Sequence, residues 1–326
     1  MRAVVITGPG GPEVLEMQDV DEPTPRAGEL RVRIAAFGVN RADLLQRRGR
    51  YPAPAGAPRN IPGLEFAGVV DAVGAASDAR WHEGDRVMGI AGGGTYAEAV
   101  TVPAGHVVSV PDDFGFVEAA AIPEAYVTAF DALQRVLLQA DEWLLIHAIG
   151  SGVGTAALQL AQARGARCIG TSRTREKLHR ALALGLHVGI DTTTDDLVAD
   201  VRRATDDGAH AALDLVGGAL FPHTLAAMRE RGRIVVVGLT AGRTAELDLG
   251  LLLRRRLRVE GTVLRSRPTA EKTALMMAFE RAVMPLVAQR VVRPVVDRTF
   301  RFDDVAAAHA YMESNANFGK IVVEVA

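Results

Sequence analysis

The chain is poor in cysteine, in lysine and in aromatic residues. Its single cysteine, Cys168, excludes an intrachain disulfide framework and any cysteine-based structural zinc site. A lone thiol suits a reducing, cytoplasmic setting. Lysine occurs only at Lys177, Lys272 and Lys320, so arginine carries nearly all the positive charge. Lys and Arg total 37 against 39 Asp and Glu, a net charge of -2, which lacks the basic surplus of a dedicated nucleic-acid binder. The longest stretch without a charge, residues 143–163, approaches the length of a membrane span. His147, Gly150, Ser151, Gly152, Gly154, Gln159 and Gln162 interrupt it, so a buried strand, a turn and a helix describe it better. The apolar run at the N-terminus stops at Gly8-Pro9-Gly10, too short for a secretory signal.

What is present is ordinary globular material: 326 residues, 48% hydrophobic and 23% charged, enough for two domains. The first third reads as short strands at residues 1–7, 30–37, 68–73, 86–89 and 96–102. A loop rich in proline (Pro52, Pro54, Pro58, Pro62) lies among them, and the whole suggests a barrel-like β domain. From residue 124 the pattern changes. A helix over 124–138 precedes strands at 144–148, 167–171, 188–190, 211–215, 233–237 and 259–264, with helices between most of them. That alternation predicts an α/β fold with a doubly wound parallel sheet. Residues 291–296 read as β again, followed by a helix over 303–313 and a strand over 321–325. The expected domains are therefore 1–123, completed by 288–326, and 124–287.

The segment from Trp143 to Ala157 runs strand, small-residue turn, helix. Such a turn lets backbone N–H groups meet a pyrophosphate at the positive helix end. The pattern G-x-G-x-x-A fits Gly152, Gly154 and Ala157, while a second register, Ile149, Ser151 and Gly154, starts at the strand end. Ser151, Gly152, Val153 and Gly154 are thus candidate phosphate contacts. An NAD site usually carries an acid at the end of the next strand. Here that strand ends in Thr171 and Ser172, followed by Arg173, Arg175 and Lys177. Hydroxyls and cations suit a 2′-phosphate, so NADPH is the expected cofactor.

The chain resembles medium-chain dehydrogenases/reductases over nearly its whole length. The residues that carry the likeness are Gly38-Val39-Asn40-Arg41-Ala42-Asp43, Pro62-Gly63-Leu64-Glu65-Phe66-Ala67-Gly68 and Gly84-Asp85-Arg86-Val87. Alcohol dehydrogenases of that family place zinc ligands where Asn40 and Leu64 stand, so no metal site is expected. Further matches are the run from Asn40 to Gly49 with Tyr51, the segment around Ser151, Asp214 to Gly218, and Asn317 to Val322. They resemble the zinc-free quinone oxidoreductase, or zeta-crystallin, branch. Gly261 to Arg267 is similar to its tumour-suppressor-inducible subgroup.

The resemblance implies a GroES-like catalytic domain with a Rossmann cofactor domain, and hydride transfer from NADPH to a quinone. It implies catalytic roles for Asn40, Asp43, Tyr51 and Arg265. Cofactor contacts are implied for Thr128, Gly218, Gly238, Leu239, Leu264 and Asn317. Asn40 and Asp43 read equally well as residues that fix their loop. Arg265 either stabilises charge on the reduced quinone or pairs with a carboxylate. Asp191 follows the third nucleotide-domain strand, where an acid would repel a 2′-phosphate. Two other readings stand beside quinone reduction: reduction of an activated alkene with Tyr51 as proton donor, and NADPH binding without catalysis, as in a crystallin. The family pattern also implies a homodimer joined along the strand from Val259 to Leu264, with no nucleic-acid or membrane partner.

Overall fold

The computed structural model describes residues 1–76 and 79–325. They form two compact units, one of Met1–Val127, Leu264–Ala288 and Pro294–Ala326, the other of Thr128–Val263 and Gln289–Arg293.

The first unit opens with an antiparallel pair, β1 (Arg2–Ile6) and β2 (Leu15–Asp19). Then come β3 (Glu29–Val39), α1 (Arg41–Arg47), β4 (Glu65–Val73), β5 (Arg86–Ile90), β6 (Ala99–Pro103), β7 (Val107–Ser109), α2 (Phe116–Ala120) and α3 (Pro123–Arg135), whose later turns belong to the second unit. The second unit runs β8 (Trp143–Ile146), α4 (Gly152–Ala163), β9 (Arg167–Ser172), α5 (Arg175–Ala183), β10 (Val188–Asp191), α6 (Leu197–Thr205), β11 (Ala209–Asp214), α7 (Phe221–Ala227), β12 (Met228–Val236), α8 (Leu249–Arg254) and β13 (Arg258–Gly261). The chain then returns to the first unit through α9 (Thr269–Ala288), β14 (Val296–Arg301), α10 (Val305–Glu313) and β15 (Lys320–Glu324).

In the second unit the six strands lie in the order β10-β9-β8-β11-β12-β13, all parallel. The order reverses between β8 and β11. In open parallel sheets, ligands bind at the carboxyl ends of the strands beside such a switch. In the first unit the order is β14-β15-β3-β4-β5-β7, with β6 also paired to β3. Strand β3 alternates buried Leu30, Val32 and Ile34 with Arg31 and Arg33, then is buried throughout from Ala36 to Val39. Its end therefore delivers Asn40 to the edge of the core formed by Phe37, Phe66, Val87 and Ile321. This is the fold of a GroES-like domain joined to a Rossmann-like domain.

Three expectations need correction. The predicted edge strand 259–264 is β13, Arg258–Gly261; the Thr262 N–H still reaches the Val236 carbonyl at 3.0 Å, after which the ladder ends. Of residues 291–296 only Val296 is in a strand, because Pro294 brings no N–H to a ladder. The 20-residue helix α9 escaped the sequence reading, although Lys272, Met276, Phe279, Val283 and Val287 are buried at helical spacing. The parallel sheet is complete at Gly261, so α9 has no further strand to return to. It packs in the first unit, where His106 Nε2 lies 3.3 Å from the Thr269 carbonyl oxygen. Leu264–Ala288 and residues 124–127 thus belong with the first unit, not with Thr128–Val263.

Candidate active site

In the second unit, β8 ends at Ile146 and the chain turns through Ala148, which holds φ at 50°. Ser151 then caps α4, its Oγ accepting the Gly154 N–H at 3.0 Å. A Cβ at Gly154 would lie 2.6 Å from the Ala148 oxygen and 2.7 Å from that of Ile149, so only glycine fits. Close packing of helix against turn is the task of the last glycine in a dinucleotide fingerprint. The register Ile149, Ser151, Gly154 therefore describes the turn, and the N–H groups of Gly152 and Val153 stand in the first turn of the helix.

Beside it, β9 ends in Thr171 and Ser172. The Thr171 hydroxyl turns inward, 2.9 Å from His147 Nδ1, and the Thr224 hydroxyl lies 2.7 Å from His147 Nε2. Burial holds this histidine down to about 4. His147 is a satisfied core residue, and Thr171 offers only its backbone to the strand end. Ser172 Oγ accepts the Thr174 N–H at 3.2 Å. Arg173 and Arg175 are exposed and Lys177 half-buried at the start of α5. Asp191 pairs in register with Ser172. Its Oδ1 accepts the hydroxyl of Thr193 at 2.6 Å and its N–H at 3.0 Å, which holds the carboxyl below its ordinary range. Arg175 Nε stands 3.8 Å from the other oxygen, so the acid is compensated locally.

After β11, Gly217 and Gly218 take φ of 64° and 57°, and Asp214 Oδ1 accepts the N–H groups of Val216 and Gly217 at 2.8 and 2.9 Å. A Cβ at Gly238 would come within 2.8 Å of the Leu215 oxygen. The turns carrying Gly218, Gly238 and the exposed Leu239 thus lie together at the carboxyl ends of β11 and β12. Thr128 is half-buried on α3. Leu264 and Asn317 belong to the first unit: Leu264 is buried, and the Asn317 amide donates to the Gly319 carbonyl at 2.9 Å.

In the first unit, Asn40 and Asp43 lock the start of α1. The Asn40 N–H donates to Asp43 Oδ2 at 2.8 Å, and the Asp43 N–H to the Asn40 carbonyl at 3.0 Å. Both residues do fix the backbone, and both also reach further. The Asn40 amide donates to Glu65 Oε1 at 2.8 Å, and its oxygen accepts from Lys320 Nζ at 2.8 Å. Lys320 is ion-paired with Glu65. The Glu124 N–H donates to Glu65 Oε2 at 2.8 Å. Gly38 makes room for this carboxylate, since a Cβ there would lie 2.1 Å from Glu65 Oε1. Burial pushes the Glu124 carboxyl up to about 8, and the neighbouring Glu65 and Asp43 add to the shift, against Lys320 and Arg265.

Asp43 is fully buried, which raises it to about 6 although its hydrogen bonds favour the charged form. It accepts from the Gly63 N–H at 3.3 Å and the Tyr96 hydroxyl at 3.1 Å. The rest of this network follows from donor counting. Arg47 can only donate, so His309 Nδ1 accepts from it at 3.2 Å. Burial keeps His309 neutral, at about 3. Its Nε2–H therefore donates to the Tyr96 oxygen at 2.9 Å, leaving the Tyr96 proton for Asp43.

The Arg265 guanidinium is held by neutral oxygen acceptors. It is 4% exposed, donates to the carbonyls of Gly92 at 2.8 Å and Tyr51 at 3.3 Å and to the Gln46 amide oxygen, and lies 5.1 Å from the centre of the half-buried Tyr51 ring. It anchors the tyrosine from behind.

Leu64, 1% exposed, offers no metal donor, and Asn40 and Glu65 are engaged with Lys320. Among the described residues no group of three or more His, Cys, Asp or Glu side chains is placed to hold a metal ion, and no helix is long and apolar enough to cross a membrane. The sequence reading missed Glu65, Glu124 and Lys320 as site residues. Glu124 is the only charged side chain between residues 119 and 130, a signal that was available.

Comparison with known proteins identifies the family and the fold. The family model described as zinc-binding dehydrogenase matches residues 152–280, and the alcohol dehydrogenase GroES-like domain matches residues 26–112. The quinone oxidoreductase of Pseudomonas aeruginosa is 32% identical over 321 residues, covering 96% of each chain. Escherichia coli quinone oxidoreductase, solved in complex with NADPH, superposes with a TM-score of 0.89 at 28% identity over the whole of both chains. A structure described as an NAD-dependent alcohol dehydrogenase does so with a TM-score of 0.88 at 31% identity, again over both whole chains. The chain is a nicotinamide-cofactor oxidoreductase fold of the medium-chain dehydrogenase/reductase family, in its quinone oxidoreductase branch.

Proposed function

We propose that the protein is an NADPH-dependent quinone oxidoreductase that reduces its acceptor by direct hydride transfer, without a metal ion. The observation that carries this reading is the turn after β9, where Ser172, Arg173, Arg175 and Lys177 replace the acid of an NAD site. Similar structures are described with either cofactor, so the choice rests on these residues. The first turn of a helix is a poor place for cations unless an anion neutralises them.

The bound cofactor supplies the hydride. Ser151, Gly152, Val153 and Gly154 receive its pyrophosphate at the start of α4. Ser172, Arg173 and Lys177 receive the 2′-phosphate, beside the Thr171 backbone. Gly218, Gly238 and Leu239 leave room for the ribose, while Thr128, Leu264 and Asn317 border the nicotinamide. Tyr51 stacks on the flat acceptor, held in place by Arg265. Asn40 and Asp43 are positioning residues that hold the end of β3 and the start of α1. A quinone is electrophilic enough to take hydride without a Lewis acid, so activity persists in chelator.

The phenol of Tyr51 also favours a second reading, reduction of an enone or enoyl thioester with Tyr51 as acid. Steady-state kinetics with para-quinones, ortho-quinones and 2-hexenal separate the two. For a quinone reductase, Tyr51→Phe retains most of kcat and Tyr51→Ala raises KM. For an enone reductase, Tyr51→Phe loses ~10²–10⁴-fold. Binding of NADPH with no turnover of any acceptor would instead favour a crystallin-like binding protein.

The same reading includes a homodimer. β13 is a sheet edge with Val259 and Val263 exposed. The Thr262 N–H points to β12, so by alternation that of Val259 points outward, ready to pair with a second copy. Light scattering at micromolar concentration is expected to give the dimer mass for the native chain and the monomer mass for Val259→Pro. A native monomer would contradict it.

A further inference from the structure

Helix α1 buries a polar face. Leu44 aside, the residues it turns inward are Asp43, Gln46 and Arg47, at i, i+3 and i+4. A buried polar group is costly unless it is paired, and each of these is paired outside the helix. Asp43 and Gln46 hold residues 48–64, which run from α1 to β4 without a helix or strand. The Gly63 N–H donates to Asp43 Oδ1 at 3.3 Å, and the Gln46 amide donates to the Arg59 carbonyl at 3.1 Å. A connection this long is uncommon unless it serves a site. This one carries Tyr51, whose carbonyl accepts from Arg265, itself bound to Gln46.

Arg47 faces α10 instead. It is fully buried, is ion-paired with Glu313, and donates to the Gly10 carbonyl at 3.1 Å and to His309 Nδ1 at 3.2 Å. An arginine only donates, so the ring of His309 is neutral with its proton on Nε2. That proton meets the Tyr96 oxygen at 2.9 Å, and the Tyr96 hydroxyl donates to Asp43 Oδ2 at 3.1 Å. Phe37 stacks on the Tyr96 ring, 4.4 Å between centres. Gly63, at φ 106°, passes so close that a Cβ there would lie 2.6 Å from the Tyr96 ring. One line of hydrogen bonds thus runs from Glu313 through Arg47, His309 and Tyr96 to the carboxylate that closes the loop.

We propose that Tyr96 and His309 are positioning residues of the acceptor site: they fix the Asp43 carboxylate on the Gly63 N–H, and with it the loop that presents Tyr51. This rests on the proposed placement of the acceptor on Tyr51. Both residues are fully buried, so they touch no acceptor and act through Asp43.

Hydrogen exchange followed by mass spectrometry, on the full-length protein without cofactor, reads the loop directly. Tyr96→Phe keeps the ring and removes the hydroxyl. Residues 50–63 are expected to exchange ~10-fold faster in this variant, the worth of one hydrogen bond to a charged group, with β11 and β12 unchanged. His309→Leu should behave alike. His309→Gln, whose amide can accept from Arg47 and donate to Tyr96, should restore native exchange. With a para-quinone, Tyr96→Phe and His309→Leu are expected to raise the acceptor KM ~10-fold, with a smaller change in kcat, unaltered NADPH affinity and recovery in His309→Gln. Native exchange in Tyr96→Phe, or a KM that does not follow exchange across the variants, would overturn the inference. A parallel loss of kcat and NADPH affinity would mark a general loss of structure and overturn it as well. If the native protein reduced no quinone, the functional reading would fail separately. The exchange of residues 50–63 would then alone uphold or overturn the clasp.

Discussion

The turn after β9 and the cluster around Glu65 are both built from charged side chains, and they are constructed in opposite ways. At the turn, Arg173, Arg175 and Lys177 come from neighbouring positions; Arg173 and Arg175 face solvent, and Arg175 lies 3.8 Å from Asp191. In the cluster, Asn40, Glu65, Glu124 and Lys320 come from four distant parts of the chain, and Lys320, the Asn40 amide and the Glu124 N–H all meet the Glu65 carboxylate inside the protein. On the proposed reading, the first is a receptor for the 2′-phosphate of NADPH. The second holds charge of its own, paired within the protein. Removing one partner therefore has different consequences: at the turn it weakens binding, and in the cluster it weakens the fold.

The sharpest way to break the comparison is Lys320→Met. It leaves Glu65 buried without its cation, a loss of about 3–5 kcal/mol in stability. Chemical denaturation checks this, and a cost as small as that of a surface pair would show that the cluster is not balanced internally. The corresponding change at the turn, Arg173→Ala, is expected to leave stability nearly unchanged.

The next effect is a pH dependence that belongs to the cluster. Glu124 and Asp43 are raised from 4.5 and 3.8 to about 8 and about 6 by burial. The native state therefore keeps protons that the unfolded chain has released. Stability is full below the unfolded values and falls as pH rises through the native ones, by at most about 1.4 kcal/mol per pH unit for each group. Denaturation curves between pH 5 and pH 8 should show this decline. Glu124→Gln should flatten the part above pH 6, where Asp43 has already titrated.

The smallest effect sharpens the other side. NADPH is expected to bind at least about tenfold more tightly than NADH, about 1.4 kcal/mol. Lys177→Ala or Arg173→Ala should remove most of that preference and leave NADH unaffected. Calorimetric titration decides it, and equal affinities in the native protein would remove the basis for the cofactor choice.

The same contrast explains what was legible in the sequence. The nucleotide turn is local, and its strand, glycine turn and helix follow one another within residues 143–163, so Ser151 and Gly154 could be placed from spacing. The parallel sheet was legible for the same reason, since each of its helices lies between the strands it connects. Helix α9 broke that rule by leaving the sheet and packing in the first unit. The cluster was hidden because pairing Glu65 with Lys320 joins residues 255 positions apart. No period or motif records such a contact. Arg265 was read by its charge, while its burial against Gln46, Gly92 and Tyr51 determines what it does.

The central claim is metal-independent reduction of a quinone by NADPH. It is tested most directly by an anaerobic single-turnover experiment in chelator, in which NADPH-loaded protein is mixed with a para-quinone and the dihydronicotinamide absorbance is followed. The account predicts rapid loss of one NADPH per chain with formation of one hydroquinone. Persistence of the NADPH signal, or turnover that appears only when zinc is added, would contradict it.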